Sequence, residues 1–319
     1  MAKPLSKREN YIRAVRRESP QWVPMDFGLT PEMEKIVIER IGTAAVADYF
    51  DFDIRGADSV QPAPPWDLRE ATSVEEVDRL GWHELATADM YAHQAEPVAR
   101  FRSQGYATMA GTANFQEEFS GVLGFERFLL EMAEGSSLVH RLFERLGECQ
   151  VRAAENAARS GADVLGSSGD MATQLAPLIS PRMYKEYIFP IMKEAYDAAR
   201  RVNPDILIFY HSCGNVMDLI ELFIEAGVDI LDPCQPEALD IFEAKRRYGK
   251  ELCFHGGIGI QSVMRDGTVG QVKEAVRRTI EVMGEGGGYI CSPSHSLLSE
   301  TPLENVFTFV EAAKEFGRY

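Results

Sequence analysis

Short apolar runs alternate along the chain with segments whose apolar residues recur at helical spacing. The runs are Trp22–Gly28, Tyr106–Phe115, Asp163–Ser168, Ile206–His211, Val228–Leu231, Leu252–Gly256 and Gly288–Cys291, with another inside Phe50–Val60. Most end in, or run directly into, Gly, Ser or Asp, residues that turns favour, so they predict strands. Between them, Val139, Leu142, Phe143, Leu146 and Cys149 share one helical face. Leu219, Leu222 and Phe223 do the same, as do Val272, Ala275, Val276 and Met283. Thr301-Pro302-Leu303-Glu304 predicts a helix start, with an N-cap, a first-turn proline and a capping-box glutamate. The stripe Leu303, Val306, Phe307, Val310 follows it. Ser180-Pro181 opens another helix in the same way, and Gly286, Gly287 and Gly288 end one before the last strand.

Strand–helix alternation predicts a parallel sheet. Seven or eight such units in 319 residues fit a closed (β/α)8 TIM barrel, with 1–319 as a single domain, better than an open doubly wound sheet. No Gly-x-Gly-x-x-Gly follows the first strand. In such a barrel the chemistry sits at the C-terminal strand ends, so unusual residues there are the ones to weigh.

Charge narrows the function. The 33 Lys+Arg against 49 Asp+Glu leave −16, which repels phosphate backbones and anionic bilayers. Nucleic-acid and membrane partners are therefore not expected. No stretch approaches 18 uninterrupted apolar residues, and Met1–Asn10 lacks the apolar centre of a secretory leader, so a cytoplasmic location is expected. Cys149, Cys213, Cys234, Cys253 and Cys291 then make no disulfide framework. Each is core filler, metal ligand or nucleophile.

The strongest local signal is Ile206-Leu-Ile-Phe-Tyr-His211-Ser-Cys213-Gly-Asn215. Positions i and i+2 of an extended segment share a face, so His211 and Cys213 can meet on one ion. A core histidine beside a buried thiol is the plainer interpretation of that pair alone. Cys291, at the end of the last strand, adds a third soft donor at the same barrel mouth. Three such donors with an open fourth position is the pattern of a catalytic zinc. Cys253-Phe-His255 has the same spacing, but Cys253 lies earlier in its strand and suits a deep core thiol. Cys234, just past a strand end, is a weaker candidate, and Cys149 belongs to a helix stripe. Among polar residues at other strand ends, Asp170, Glu117, Glu118 and His295 are candidates for a fourth ligand, a general base or a substrate clamp. Asp170 is the strongest of these.

With these residues in view, the chain resembles the uroporphyrinogen decarboxylase superfamily nearly end to end. The likeness runs from Lys7-Arg-Glu-Asn-Tyr-Ile-Arg-Ala-Val-Arg16 and Val23-Pro24 through Gly161-Ala-Asp163, Leu178-Ile-Ser-Pro181, Tyr184, His211-Ser-Cys-Gly-Asn215 and Gly256-Gly-Ile258. It ends with Gly287-Gly-Tyr289, Pro293-Ser-His295 and Thr301-Pro-Leu-Glu-Asn305. The resemblance implies a (β/α)8 barrel. The decarboxylase branch carries Arg-Gln-Ala-Gly-Arg after its first strand, and those arginines hold the substrate's carboxylates. Here Val23-Pro-Met-Asp-Phe-Gly-Leu-Thr30 has neither arginine nor glutamine. His295 does match a decarboxylase histidine.

The other branch is the zinc-dependent, corrinoid-linked methyltransferases, which include methylcobalamin:coenzyme M methyltransferases and O-demethylases of methoxylated aromatics. Its His-x-Cys plus late Cys is matched by His211, Cys213 and Cys291. The resemblance thus implies Zn2+ on those three residues and methyl transfer between a small methyl donor or thiol acceptor and the cobalt of a corrinoid. Asp170 and His295 are the expected catalytic residues. Glu117, Tyr184 and Asp170 are the expected substrate-binding residues. Many relatives have Asp after Gly-Gly-Ile, where this chain has Gly259. The family's corrinoid module uses Asp-x-His-x-x-Gly, and none of the six histidines sits in that pattern, so the corrinoid (cobalamin) is expected on a separate protein docking at the mouth. The alternatives are a decarboxylase-like lyase acting on an anionic substrate and a member that only binds.

Overall fold

A computed structural model describes residues 4–60, 65–114 and 120–319. Among the described residues, seven strands form one parallel sheet in chain order: β1 Ile54–Ala57, β2 Ala107–Asn114, β3 Val164–Ser168, β4 Leu207–His211, β5 Ile230–Cys234, β6 Cys253–Ile258 and β7 Tyr289–Pro293. Each answers to one of the apolar runs, and the helices expected between them are present. The longest, Ser137–Arg159, buries Val139, Leu142, Phe143, Leu146 and Cys149 against the sheet and its neighbours.

One expected strand departs from the pattern. Trp22–Gly28 makes no ladder, only isolated bridges such as Met25 with Cys291 and, just beyond it, Leu29 with Leu297. The cause lies in its donors. Pro24 has no N–H, and the Met25 N–H goes to Asp53 Oδ2 at 3.0 Å rather than to a strand. The segment still lies between the two sheet edges. Cys291 N donates to Pro24 O at 2.8 Å, and Asp53 N to Met25 O at 3.3 Å. The sheet is thereby curled until its edges face one intervening segment.

The core has two layers. Inside the curled sheet, Ile54, Ala107, Val164, Leu207, Ile230, Cys253 and Ile290 converge on Tyr11 and Val15 of helix Lys7–Arg16, which plugs the N-terminal end. Outside it, a larger apolar layer joins strands to helices. Arg8 Nε donates to Asp163 Oδ1 at 2.9 Å, and the Thr108 N–H to Asp163 Oδ2 at 3.1 Å, tying that plug to β2 and β3. Helix Pro181–Tyr187 is capped as expected by Ser180, which accepts from Met183 N. The cap expected at Thr301 is not made. The helix starts at Leu303, and Thr301 N instead closes a turn on Leu298 O at 3.0 Å. No described helix is long and apolar enough to cross a membrane.

Candidate functional site

Alternation along β4 aims its last residue inward. Leu207 and Phe209 belong to the interior cluster, so His211, two further on, faces the same way at the C-terminal end. There it meets Asp232 of β5, its partner in register. Asp232 Oδ2 is hydrogen-bonded to His211 Nδ1, and Oδ1 to Nδ1 of His255 on β6. His255 Nε2 reaches Asp26 Oδ1 at 2.7 Å. Both nitrogens of His255 thus face carboxylate oxygens, and both must donate, which makes the ring an imidazolium. Burial alone would lower its pKa, but Asp26 and Asp232 override it and push it up to about 10. Burial would raise Asp232, yet the two imidazoles hold its carboxyl well below the usual range. His211 is likewise raised by Asp232 against the effect of burial.

With Nδ1 committed to Asp232, His211 presents Nε2 to the mouth, 3.4 Å from Cys213 Sγ. Gly214 makes the following turn possible. It has φ +91°, and a Cβ there would stand 2.5 Å from Thr173 O. Asn215 N then donates to Thr173 O at 2.7 Å. Asp170, after β3, is held beside the pair. Gly169 N donates to His211 O at 2.9 Å, and Cys213 N to Asp170 Oδ1 at 2.9 Å. That oxygen is 3.7 Å from His211 Nε2, and the side chain is 47% exposed.

The third member of the group is His295. One donor atom each from His211, Cys213 and His295 lies within 4.8 Å of the others. The loop carrying His295 is fastened on both sides, by Ser294 N to Ile258 O at 2.8 Å and Leu297 N to Gly28 O at 2.9 Å. Cys291, expected as the third ligand, is not brought to the group. In register, His255 pairs with Ile290 and Gly256 with Cys291. Ile290 faces the interior cluster, so Cys291 faces the opposite way, fully buried in the outer layer, where burial pushes its thiol up to about 12. Strand parity was the available signal: an inward Ile290 forces an outward Cys291.

The other candidates divide plainly. Tyr184 is fully buried in the outer layer, 3.5 Å from the Tyr210 hydroxyl, and does not line the mouth. Glu117 and Glu118 lie outside the described residues. Cys253 sits in the interior cluster, and Cys234 and Cys149 in the outer layer, each buried. No local spacing in the sequence marks Asp26 or Asp232, and His255 shares its strand face with the core thiol Cys253. The missing side chain at Gly259 also has a structural counterpart. A Cβ there would meet Glu237 Oε1 at 2.3 Å, so the Glu237 carboxylate occupies that space. It accepts from Gln261 N at 3.2 Å and Ser262 Oγ at 2.9 Å.

The donor set suits zinc. Two imidazoles and a thiol are borderline-soft ligands, and tetrahedral zinc places neighbouring donors about 3.3–3.8 Å apart. The His211–Cys213 separation of 3.4 Å falls in that range. A carboxylate behind a ligating histidine is also the usual means of fixing its tautomer.

The uroporphyrinogen decarboxylase (URO-D) family model matches residues 118–316. Curated relatives include the uroporphyrinogen decarboxylase of Trichodesmium erythraeum, 29% identical over 180 residues that cover 56% of this chain and 48% of the relative. The chloroplastic enzyme of Zea mays is 25% identical over 181 residues, covering 56% and 43%. The chain spans about half the length of the curated relatives it matches. Among solved structures, a methyltransferase from Methanosarcina mazei superposes with a TM-score of 0.72, covering 98% of this chain and 99% of that one at 17% identity, a likeness of fold alone.

Proposed function

The chain belongs to the uroporphyrinogen decarboxylase family, and within it we propose a zinc-dependent methyltransferase that moves a methyl group between a small substrate and the cobalt of a separate corrinoid protein. The observation that carries this reading is the convergence of His211, Cys213 and His295 on one point, with Asp232 behind His211. A second observation weighs against the decarboxylase alternative. Where that branch places arginines for its substrate's carboxylates, this chain places Asp26, spent on His255. In this reading 1–319 is one barrel domain, with the segment around Met25 in the eighth strand position.

His211 Nε2, Cys213 Sγ and a nitrogen of His295 would hold the metal. Bound there, zinc lowers the pKa of a thiol or polarises the oxygen of a methyl ether. Asp232 keeps His211 in the Nδ1–H tautomer so that Nε2 carries the lone pair. Asp170 has Oδ1 fixed by Cys213 N and its side chain about half exposed, placed to take or hold the proton of an incoming thiol, or to orient a leaving oxygen. The mouth, ringed by the strand-end loops, is the face at which the corrinoid protein docks.

The test is a joint one. Purified protein should hold close to one zinc per chain and should change the absorbance of free cob(I)alamin or methylcobalamin only when a methyl donor or thiol is added. Metal-free protein that decarboxylates a porphyrinogen would establish the lyase alternative, toward which the names of the curated relatives point.

A further inference from the structure

Four polar side chains stand in line behind the donor group: His211, Asp232, His255 and Asp26. Three of them form one layer of the barrel interior. Ile230 and Cys253 belong to the interior cluster and Phe209 packs against it. Two residues further along the same strands come Asp232, His255 and His211, on the same face. Asp26 joins them from the segment between the sheet edges. The Phe209 and His255 rings meet edge to face, with centroids 5.3 Å apart. The side chains of Asp232, His255 and Asp26 are all mostly buried.

The torsion that turns each of these groups is soft. The last side-chain torsion of Asp and His has broad minima, so a single hydrogen bond leaves the plane of a carboxylate or an imidazole free to swing. A second bond, made by another atom of the same group, removes that freedom. Asp232 has one, because Oδ1 is tied to His255 Nδ1 and only Oδ2 is left for His211 Nδ1. His255 has one as well, because its Nε2 is held by Asp26 Oδ1 at 2.7 Å. Burying a chain of ions costs desolvation, and apolar residues of the same volume often stabilise a core as well or better. What the chain supplies that they would not is orientation. Resting on the zinc reading of His211, Cys213 and His295, we infer that His255 and Asp26 are positioning residues for that group. Asp26 fixes the plane of His255, His255 that of Asp232, and Asp232 that of the ligating imidazole.

The experiment compares two replacements of one ring in the full chain. An asparagine amide nitrogen stands near the place of Nδ1, and a glutamine amide nitrogen near that of Nε2. His255→Asn therefore keeps a donor for Asp232, and His255→Gln keeps one for Asp26 only. Both lose the same cation and the same contact with Phe209, so a role in packing or charge balance would affect them alike. Zinc affinity is measured by competition with a chelator, and the geometry of the donor group by the visible absorption of the Co2+-loaded protein. His255→Gln should bind zinc at least about tenfold more weakly than wild type, with altered cobalt bands. His255→Asn should stay within about threefold, with wild-type bands. Equal affinities in the two variants, or a weaker His255→Asn, overturn this inference and leave the zinc reading standing. Should either variant fail to fold, Asp26→Asn and Asp26→Ala put the same question one link further out. The amide keeps an oxygen for the Nε2–H and the methyl does not, so Asp26→Ala alone should weaken zinc, by about threefold or more. Equal affinity in that pair overturns the inference as well. Wild-type protein that takes up no zinc overturns the methyltransferase reading, and this inference with it.

Discussion

Asp232 accepts the Nδ1–H of His211, and this bond decides which nitrogen of the ring faces the mouth. The relationship crosses from β4 to β5 in register, so it is set by the sheet rather than by a loop. It also makes a prediction. Asp232→Asn keeps the size but offers one oxygen to two imidazole donors, His211 and His255. Zinc affinity, measured by competition with a chelator, should fall by about 10–100-fold, as for other carboxylates that orient a ligating histidine. Wild-type affinity in a folded Asp232→Asn would remove it from any role at the metal.

The ligand set is open to a direct count. His211→Ala, Cys213→Ser and His295→Ala should each strip zinc, measured as metal per chain by mass spectrometry. Cys291→Ser should retain it, because that thiol points into the outer layer and its loss alters only packing. Retention of zinc in His295→Ala together with its loss in Cys291→Ser would reverse the assignment.

This contrast also shows what the sequence makes legible. The order of strands and helices follows from apolar periodicity, and β2, β3 and β4 lie within a residue or two of the runs that predict them. His211 and Cys213 are legible because their chemistry is local, two residues apart on one strand. The choice between Cys291 and His295 is not local. It depends on the pleat of β7 against β6, and a one-residue change of parity turns a side chain from the mouth to the outer layer. The pairing of His255 with Asp26 spans 229 residues and leaves no periodic trace. Trp22–Gly28 reads as a strand, yet its backbone donors are removed by a proline and diverted to a side chain, Asp53, that only the fold brings near.

Asp53 supplies a pH prediction remote from the metal. Burial raises its carboxyl from 3.8 to about 6, opposed by hydrogen bonds from Trp22 Nε1 at 2.8 Å and Met25 N at 3.0 Å. The folded chain therefore keeps this proton up to about pH 6, whereas the unfolded chain releases it near pH 4. Between those values the native state binds more protons. Its contribution to stability is fully present below about pH 4 and is lost as the pH rises through about 6. The loss is at most about 3 kcal/mol. Urea unfolding at stepped pH should show wild type losing stability relative to Asp53→Asn across that window. Parallel profiles for the two proteins would show that Asp53 does not titrate there.

Asp170 carries the last prediction, because its two oxygens have separate uses. Oδ1 accepts the Cys213 N–H at 2.9 Å and so helps to place the thiol. The rest of the carboxylate is open, the side chain being about half exposed. Asp170→Asn retains an Oδ1 acceptor for that bond, so the strand end keeps its shape and the donor group its geometry. What it removes is the negative charge and the capacity to take a proton. A solvated loop carboxylate would tolerate this within ~0.5 kcal/mol of stability and with no change in turnover. A residue that handles the substrate's proton would not. Methyl transfer by Asp170→Asn should fall at least about tenfold with zinc content and the unfolding midpoint unchanged. The pH profile should separate this from a structural effect. Where the substrate thiol is already ionised, above about pH 9, the variant should recover most of the lost rate, because no proton then needs a home. A uniform loss at every pH would mean that Asp170 acts on the geometry of Cys213 alone, and wild-type turnover with zinc retained would move it out of the site.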